Sequence, residues 1–397
     1  MMNMLSHNIV SPLGFSSSES YQAVCAGKSG LTTYSSKFGL PVPFCASLMN
    51  DEKIEDYFSA LPHTETTIYT RFEKMAILSV QGALAQTSID LASPDVLFIL
   101  STTKGNVDLL EDLRGFEKER LYLWRSAQLI SRFFNNPNEP LVVSNACISG
   151  CAAQIAAERF LHHPIGETIA EKSDGHRTYH YVVVVGAEVL SKFIISGFQS
   201  FKALSPERCK PFDAERCGLN LGEAAATIIY ESNYTSNTSD PSDVISFHAG
   251  AICNDANHIS GPSRTAEGQY RAIIQATKNL DLERLAFVNA HGTATLYNDD
   301  MESIALHRAA LSHLPVNSLK PYFGHTLGAA GVLEIIISTL ALQNHHIIKT
   351  LGFDVPGTAQ KIHVADGKEE CSQKDAFLKI ISGFGGGNAA IAITMRH

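Results

Sequence analysis

The sequence is short of positive charge, of cysteine and of long apolar runs. Lysine and arginine together number 31 against 40 acidic residues, a formal net charge of −9. A nucleic-acid binder needs a basic footprint, and the chain as a whole has none. An anionic partner would therefore have to meet a local basic patch. No stretch reaches the roughly 18 uninterrupted apolar residues of a membrane span; the most apolar helical run, 329–342, carries Glu334. The N-terminus, MMNMLSHNIVSPLG, has neither a basic leader nor a long apolar segment, so no secretory signal is expected. Eight cysteines, at 25, 45, 147, 151, 209, 217, 253 and 371, are too scattered for a disulfide scaffold and imply a reduced, cytoplasmic setting. Cys147 and Cys151 stand four apart, but no second pair and no histidine at metal spacing accompanies them, so no zinc motif is read there.

What is present is the material of a large folded body. The chain has 397 residues, 45% hydrophobic and 18% charged, which fits two domains or one long duplicated one. Apolar, β-branched runs at 96–100, 141–143, 181–185, 285–288, 378–381 and 389–393 read as buried strands. Between them, 150–161 and 328–342 carry small apolar residues at helical spacing. Strands alternating with helices argue for α/β architecture.

The order of features repeats. A strand ending in Ser-Thr-Thr, a strand leading to a small-residue helix (LVVSNACISGCAAQ) and a strand ending in Gly (YVVVVGAE) fill the first half. A strand ending in His-Gly-Thr, a segment leading to a small-residue helix (LKPYFGHTLGAAG) and a strand ending in a glycine run (LKIISGFGGGNAA) fill the second. Landmarks roughly 180 to 200 residues apart suggest internal duplication, with halves at 1–240 and 241–397. The polar stretch NYTSNTSDPSD, 233–243, is the expected link. Two segments read as insertions: 104–140, charged and helical, and 191–221, rich in loops.

Three residues stand at places suited to chemistry. Cys147 follows the strand Leu-Val-Val and opens a small-residue helix, whose unpaired N–H groups bias a thiol toward the thiolate. A small buried hydrophobe is the other reading of such a cysteine. His291 and His325 each sit at a strand- or loop-to-helix junction beside glycines; for either alone, a structural histidine is the competing reading. Lys320 and Glu302 read as surface charges or as groups orienting the imidazoles. Glu334 stands alone in an apolar helix, where an unpaired carboxylate is costly; an ion pair or a site role would account for it. The run Gly-Phe-Gly-Gly-Gly-Asn at 383–388 lacks the Lys and Ser/Thr of a phosphate loop, so no nucleotide site is read there.

Taken in order, these motifs resemble those of the elongating β-ketoacyl-acyl carrier protein synthases, condensing enzymes of the thiolase superfamily. The resemblance runs nearly end to end. It starts with Ser-Pro-Leu-Gly (11–14) and Gly-Lys-Ser-Gly (27–30), then Ala-Cys-Ile-Ser-Gly (146–150) and PFDAERCGLNLGEAA (211–225). Gly-Pro-Ser (261–263) and His-Gly-Thr-Ala-Thr with Asn-Asp-Asp-Met-Glu (291–302) follow, then Lys320 with GHTLGAAG (324–331) and the 383–388 run. Ala294 stands where the family usually has Gly or Ser, and Asn145 and Ile148 replace the commoner neighbours of the cysteine. The first strand is shorter than usual and lacks the family's glycines. Thiolases carry a second catalytic cysteine, and the only late one here, Cys371, lies in a polar segment.

The resemblance implies a thiolase-like duplicated fold layered α-β-α-β-α, with two pseudo-equivalent halves. It implies decarboxylative Claisen condensation by a Cys-His-His set, with Cys147 as nucleophile and His291 and His325 serving the malonyl step. Lys320, Glu302 and Glu334 would hold the site electrostatically. The backbone of Cys147 and Phe384 would form the oxyanion hole, Phe384 would gate it, and Thr293 and Thr295 would bind the phosphopantetheine arm. No metal or organic cofactor is implied. The implied partners are acyl- and malonyl-loaded carrier protein, docked near Lys202, Arg208 and Lys210, and a second subunit in a homodimer or heterodimer. Fatty acid, polyketide and polyene elongation all remain open, as does a non-catalytic, chain-length-determining subunit, against which the intact Cys147 argues.

Overall fold

In the computed structural model, which describes residues 2–62, 66–161, 179–232, 244–369 and 371–396, the apolar runs form one mixed sheet of eleven strands. Its first half contains β1 (Met2–Val10), β2 (Val96–Ser101), β3 (Leu141–Val143), β4 (Tyr181–Glu188) and β5 (Ala224–Ser232). The helices of that half that matter here are α1 (Arg71–Leu84), α2 (Ser149–Leu161) and α3 (Lys192–Ser200). The second half contains β6 (Val244–Asn254), β7 (Leu285–Asn289), β8 (Pro315–Asn317), β9 (Ala376–Gly383) and β10 (Gly387–Arg396), with α4 (Glu267–Ala276), α5 (Leu296–Arg308) and α6 (Ala330–Gln343). A two-residue strand, His363–Val364, extends the edge beyond β8.

The halves share one topology. Outward from the junction the strands run β1-β5-β4-β2-β3 on one side and β6-β10-β9-β7-β8 on the other, so each half places its first, fifth, fourth, second and third strand in that order. The inner pairings are antiparallel and the outer two parallel in both. β1 and β6 join the halves antiparallel through Met2↔Phe247 and Asn3↔Ser246. Parallel strands must be covered on both faces. Accordingly α1 packs on β1, β5 and β4, α4 packs on β6, β10 and β9, and α2 and α6 pack on each other and on strands of both halves. The layering is α-β-α-β-α, with α2 and α6 in the middle layer.

That central contact depends on absent side chains. A Cβ on Gly331 would lie 2.5 Å from the backbone nitrogen of Cys151, and one on Gly150 would lie 2.9 Å from that of Val332. The two helices therefore meet backbone to backbone, bringing their N-terminal ends, with Cys147 and His325, to one place.

The expected strands are present, each extended by up to five residues except 141–143, which matches. Five strands of the sheet were not read from sequence: β1, β5, β6, β8 and the short His363–Val364. β1 carries buried Asn3, Ser6 and Asn8, which blur its apolar pattern, and β5 (AAATIIYES) begins with helix-favouring alanines. β6 runs through His248, Gly250 and Asn254. The segment 104–140 holds the helix Leu123–Phe133 and two short 3₁₀ turns, and 191–221 holds α3. The expected link at 233–243, and with it the boundary between 240 and 241, lies outside the described residues.

Candidate active site

Cys147 lies on a sharp elbow between β3 and α2. Ala146 takes φ +44°, a left-handed conformation that costs a non-glycine residue on the order of 1 kcal/mol. Ser149 secures the turn: its Oγ accepts the Asn145 N–H at 2.7 Å and donates to the Ala146 carbonyl at 2.6 Å. The backbone N–H of Phe384 reaches the sulfur. The expectation of a resting thiolate needs correction. Burial pushes the Cys147 thiol up to about 11, although Lys104 and Lys320 pull the other way. The N-terminal position before α2 does not outweigh desolvation, so the resting group is the thiol.

His325 is delivered opposite this sulfur by its backbone. Its N–H donates to the Asn220 carbonyl at 2.7 Å, and its own carbonyl accepts from Gly222 at 3.0 Å. Only glycine fits at 222, since a Cβ there would lie 1.9 Å from the Phe323 carbonyl oxygen. His291 follows β7 after one residue, Ala290. The two rings are 4.9 Å apart between centroids and nearly perpendicular, at 82°. The sulfur and one nitrogen of each ring all lie within 4.8 Å of one another. Both rings are buried, and among the described residues His291 Nδ1 and both nitrogens of His325 have no hydrogen-bond partner. Buried polar atoms left unpaired in this way are poised for a ligand. Burial first, then the charge of Lys320, lowers the pKa of both rings well below the usual histidine value, so both are neutral.

Lys320, Glu334 and Glu302 are all buried, which sets aside the surface reading. Lys320 and Glu334 form an ion pair. Sequence reasoning missed the third member: Lys379, on β9, meets the other Glu334 oxygen at 2.5 Å. Its signal was a single cation inside the apolar run LKIIS. Burial raises the Glu334 pKa, but the two lysines outweigh it and hold the carboxyl below its ordinary value.

Glu302 acts on the backbone and, among the described residues, makes no hydrogen bond to an imidazole. Its two oxygens accept the backbone N–H groups of His291 at 2.6 Å and Gly292 at 2.8 Å, so it fixes the loop that carries the ring. Asp299, also missed, does the same for Thr293 (3.1 Å) and Phe212 (2.8 Å). Burial raises Glu302 to about 7 and Asp299 to about 6. The loop also explains the departure at Ala294, which takes φ +62°, a conformation that favours the family's usual glycine.

The three groups line the wall of a cavity of about 500 Å³ that opens to the surface past Thr293, Thr295, Phe384 and Lys202. The hydroxyls of Thr293 and Thr295 are 2.9 Å apart. Phe384, 37% exposed, stacks on Phe198 at 5.8 Å and meets Phe201 edge-on at 5.6 Å. Both partners come from α3 and the residue after it, inside the supposed insertion, and neither was read as part of the site. Of the expected basic patch, Lys202 and Arg208 are exposed, whereas Lys210 is engaged with Glu215 at 3.0 Å. Cysteine and histidine are donors that suit a soft metal ion. The positive charges of Lys320 and Lys104 act on this sulfur.

A cysteine at an elbow, two facing imidazoles and a mouth bordered by glycines are set here on a thiolase-like fold. The ketosynthase in complex with its chain length factor from Xenorhabdus doucetiae superposes with a TM-score of 0.82 at 21% identity, over 99% of this chain and 98% of the matched one. Residues 246–354 match the family model of the β-ketoacyl synthase C-terminal domain. The 3-oxoacyl-(acyl-carrier-protein) synthase 2 of Coxiella burnetii is 26% identical over 97% of this chain and 96% of its own length. A protein of Streptomyces halstedii named as a polyketide β-ketoacyl synthase is 30% identical over 62% of this chain and 59% of its own. Along most of its length the chain is thus similar to β-ketoacyl-acyl carrier protein synthases.

Proposed function

We propose that the protein catalyses decarboxylative Claisen condensation in fatty acid or polyketide chain elongation, with the acyl chain held on Cys147. One of the neutral rings accepts the thiol proton as Cys147 attacks the carrier-protein thioester, and the pantetheine thiol leaves with a proton. The N–H groups of Cys147 and Phe384 stabilise the oxyanion; such donors are each worth about 3 kcal/mol. Malonyl carrier protein then enters past Thr293 and Thr295, whose hydroxyls hydrogen-bond its arm. Its C–C bond breaks, carbon dioxide leaves, and His291 and His325 hydrogen-bond the enolate oxygen. The enolate carbon attacks the acyl carbonyl, giving a β-ketoacyl product and freeing the sulfur. No metal or organic cofactor enters this scheme, because the departing carboxylate drives it.

The observation that carries the proposal is the convergence of Cys147, His291 and His325 within 4.8 Å, with buried ring nitrogens left unpaired. An elongation assay with a series of acyl carrier proteins and malonyl carrier protein, read by product mass, tests it. Growth by two carbons is the expected result. Carrier binding without acyl transfer would instead support a chain-length-determining subunit.

A further inference from the structure

Lys379 is surplus to the charge balance of the site. One carboxylate, Glu334, faces two ammonium groups, and all three side chains are at most 3% exposed. A single lysine would have balanced Glu334, and a buried cation in excess needs a reason. Burial lowers the Lys379 pKa, and Glu334 is the main group that opposes the shift. Its Nζ has three oxygen neighbours: Glu334 Oε2 at 2.5 Å, the Ala290 carbonyl at 3.2 Å and the Asn289 carbonyl at 3.5 Å. Three acceptors match the three N–H bonds of an ammonium, whereas a neutral amine would turn its lone pair on an oxygen.

Those acceptors are placed tellingly. Asn289 ends β7, and Ala290 is the residue directly before His291. Lys379 is also the register partner of Asn289 across the β7–β9 ladder. The ammonium therefore clamps the strand end that presents one imidazole and, through Glu334, is tied to Lys320 beside the other. The remaining titratable neighbours do not cancel it. Cys151 on α2 is a buried thiol raised to about 12, and Lys320 and Lys104 are cations. Glu302 on α5 and its neighbour Asp299 are engaged with backbone N–H groups. Glu188 at the end of β4 binds the Gly328 N–H at 3.1 Å and that of Thr103.

We propose that Lys379 is a positioning residue for the decarboxylation half-reaction: its fixed positive charge keeps His291 and His325 neutral and favours the enolate, and its carbonyl bonds hold His291 in line. This rests on the condensation reading above. Acyl transfer to Cys147 develops its charge at backbone N–H groups and depends on Lys379 far less. Both rings feel the cation: at His325 after burial and Lys320, and at His291 after burial, Lys320 and His325.

The test compares wild type, Lys379→Met and Lys379→Gln across pH 5 to 8, measuring carbon dioxide release from malonyl carrier protein and, separately, acyl transfer to Cys147. The methionine variant leaves Glu334 balanced by Lys320, so it is expected to fold. Should it not, the glutamine variant carries the comparison, because its amide donates to the carbonyls without charge. Carbon dioxide release should drop about tenfold in Lys379→Met, with acyl transfer within about threefold. The acid limb of release should move up by about half a pH unit or more, because losing a nearby cation eases ring protonation. Lys379→Gln should recover part of the rate at pH 8, because its amide restores the carbonyl bonds but not the charge, and keep the shifted limb. Equal losses in both half-reactions, or an acid limb unchanged in both variants, would overturn the proposal. Histidine ring NMR titration of the same variants reads ring protonation without turnover. Wild type that neither acylates nor releases carbon dioxide would overturn the condensation reading while leaving that titration to judge Lys379.

Discussion

The two halves share a strand order and pairing sense, yet they furnish the site unequally. In the first half the last residue of β2, Ser101, pairs with Gly186; in the second the last residue of β7, Asn289, pairs with Lys379. At Gly186 the missing side chain admits the middle helix layer, since a Cβ there would lie 3.0 Å from the Cα of Ala329. At Lys379 the same register position sends an ammonium into that layer to meet Glu334. The first half supplies the sulfur, its elbow and Lys104, and the second supplies both imidazoles with Lys320 and Lys379. A duplicated scaffold thus gives two strand-to-helix junctions facing one another, and side-chain substitution makes one a nucleophile and the other a proton-handling, anion-stabilising surface.

The sharpest way to break this division of labour is to remove the sulfur. Cys147→Ala should lower condensation by about 10³-fold or more while circular dichroism and thermal unfolding stay close to wild type. Removing the opposite contribution should separate the half-reactions. His325→Ala should slow malonyl decarboxylation by about 10² to 10⁴-fold and self-acylation by much less, as stopped-flow acyl transfer would register. Equal losses would mean that His325 serves both steps alike.

The contact that brings the halves together is tested at Gly331. Gly331→Ala pushes a Cβ to 2.5 Å from the Cys151 nitrogen, so chemical denaturation should show destabilisation of about 1 to 3 kcal/mol, with turnover falling alongside. A pH-dependent effect of similar size concerns the carboxylate under the His291 loop. Burial raises Glu302 from 4.5 to about 7, so the folded state holds this proton more tightly than the unfolded chain. Native stability contributed by this group should therefore decline as pH rises from about 4.5 to 7 and level off above, a change on the order of 3 kcal/mol at most. Glu302→Gln should flatten that decline in urea titrations. A slope that survives the substitution would assign the pH dependence to Asp299 or other groups.

Much of this was legible in the sequence because the relevant signals are local. β-branched runs fixed six strands of the sheet, and glycines beside Cys147, His291 and His325 marked the three junctions. The resemblance of separated motifs in order then supplied the roles. What escaped was non-local. Lys379 gains meaning only when β9 lies beside β7 and α6 turns Glu334 toward it, and nothing within five residues of it announces that. Phe198 and Phe201 looked like part of an insertion because their contact with Phe384 spans more than 180 residues of chain. The thiol state of Cys147 was misjudged because the helix start is visible in sequence whereas full burial is not. β5 was missed because its alanines, helix-favouring alone, are selected here by a strand covered on both faces.

The most direct test of the central claim is the mass of the protein after incubation with acyl carrier protein and no malonyl substrate. One acyl group per chain is expected, mapped by proteolysis to the peptide containing Cys147 and discharged with carbon dioxide release when malonyl carrier protein is added. An unmodified chain, or an adduct on another cysteine such as the exposed Cys217 at the cavity mouth, would contradict it.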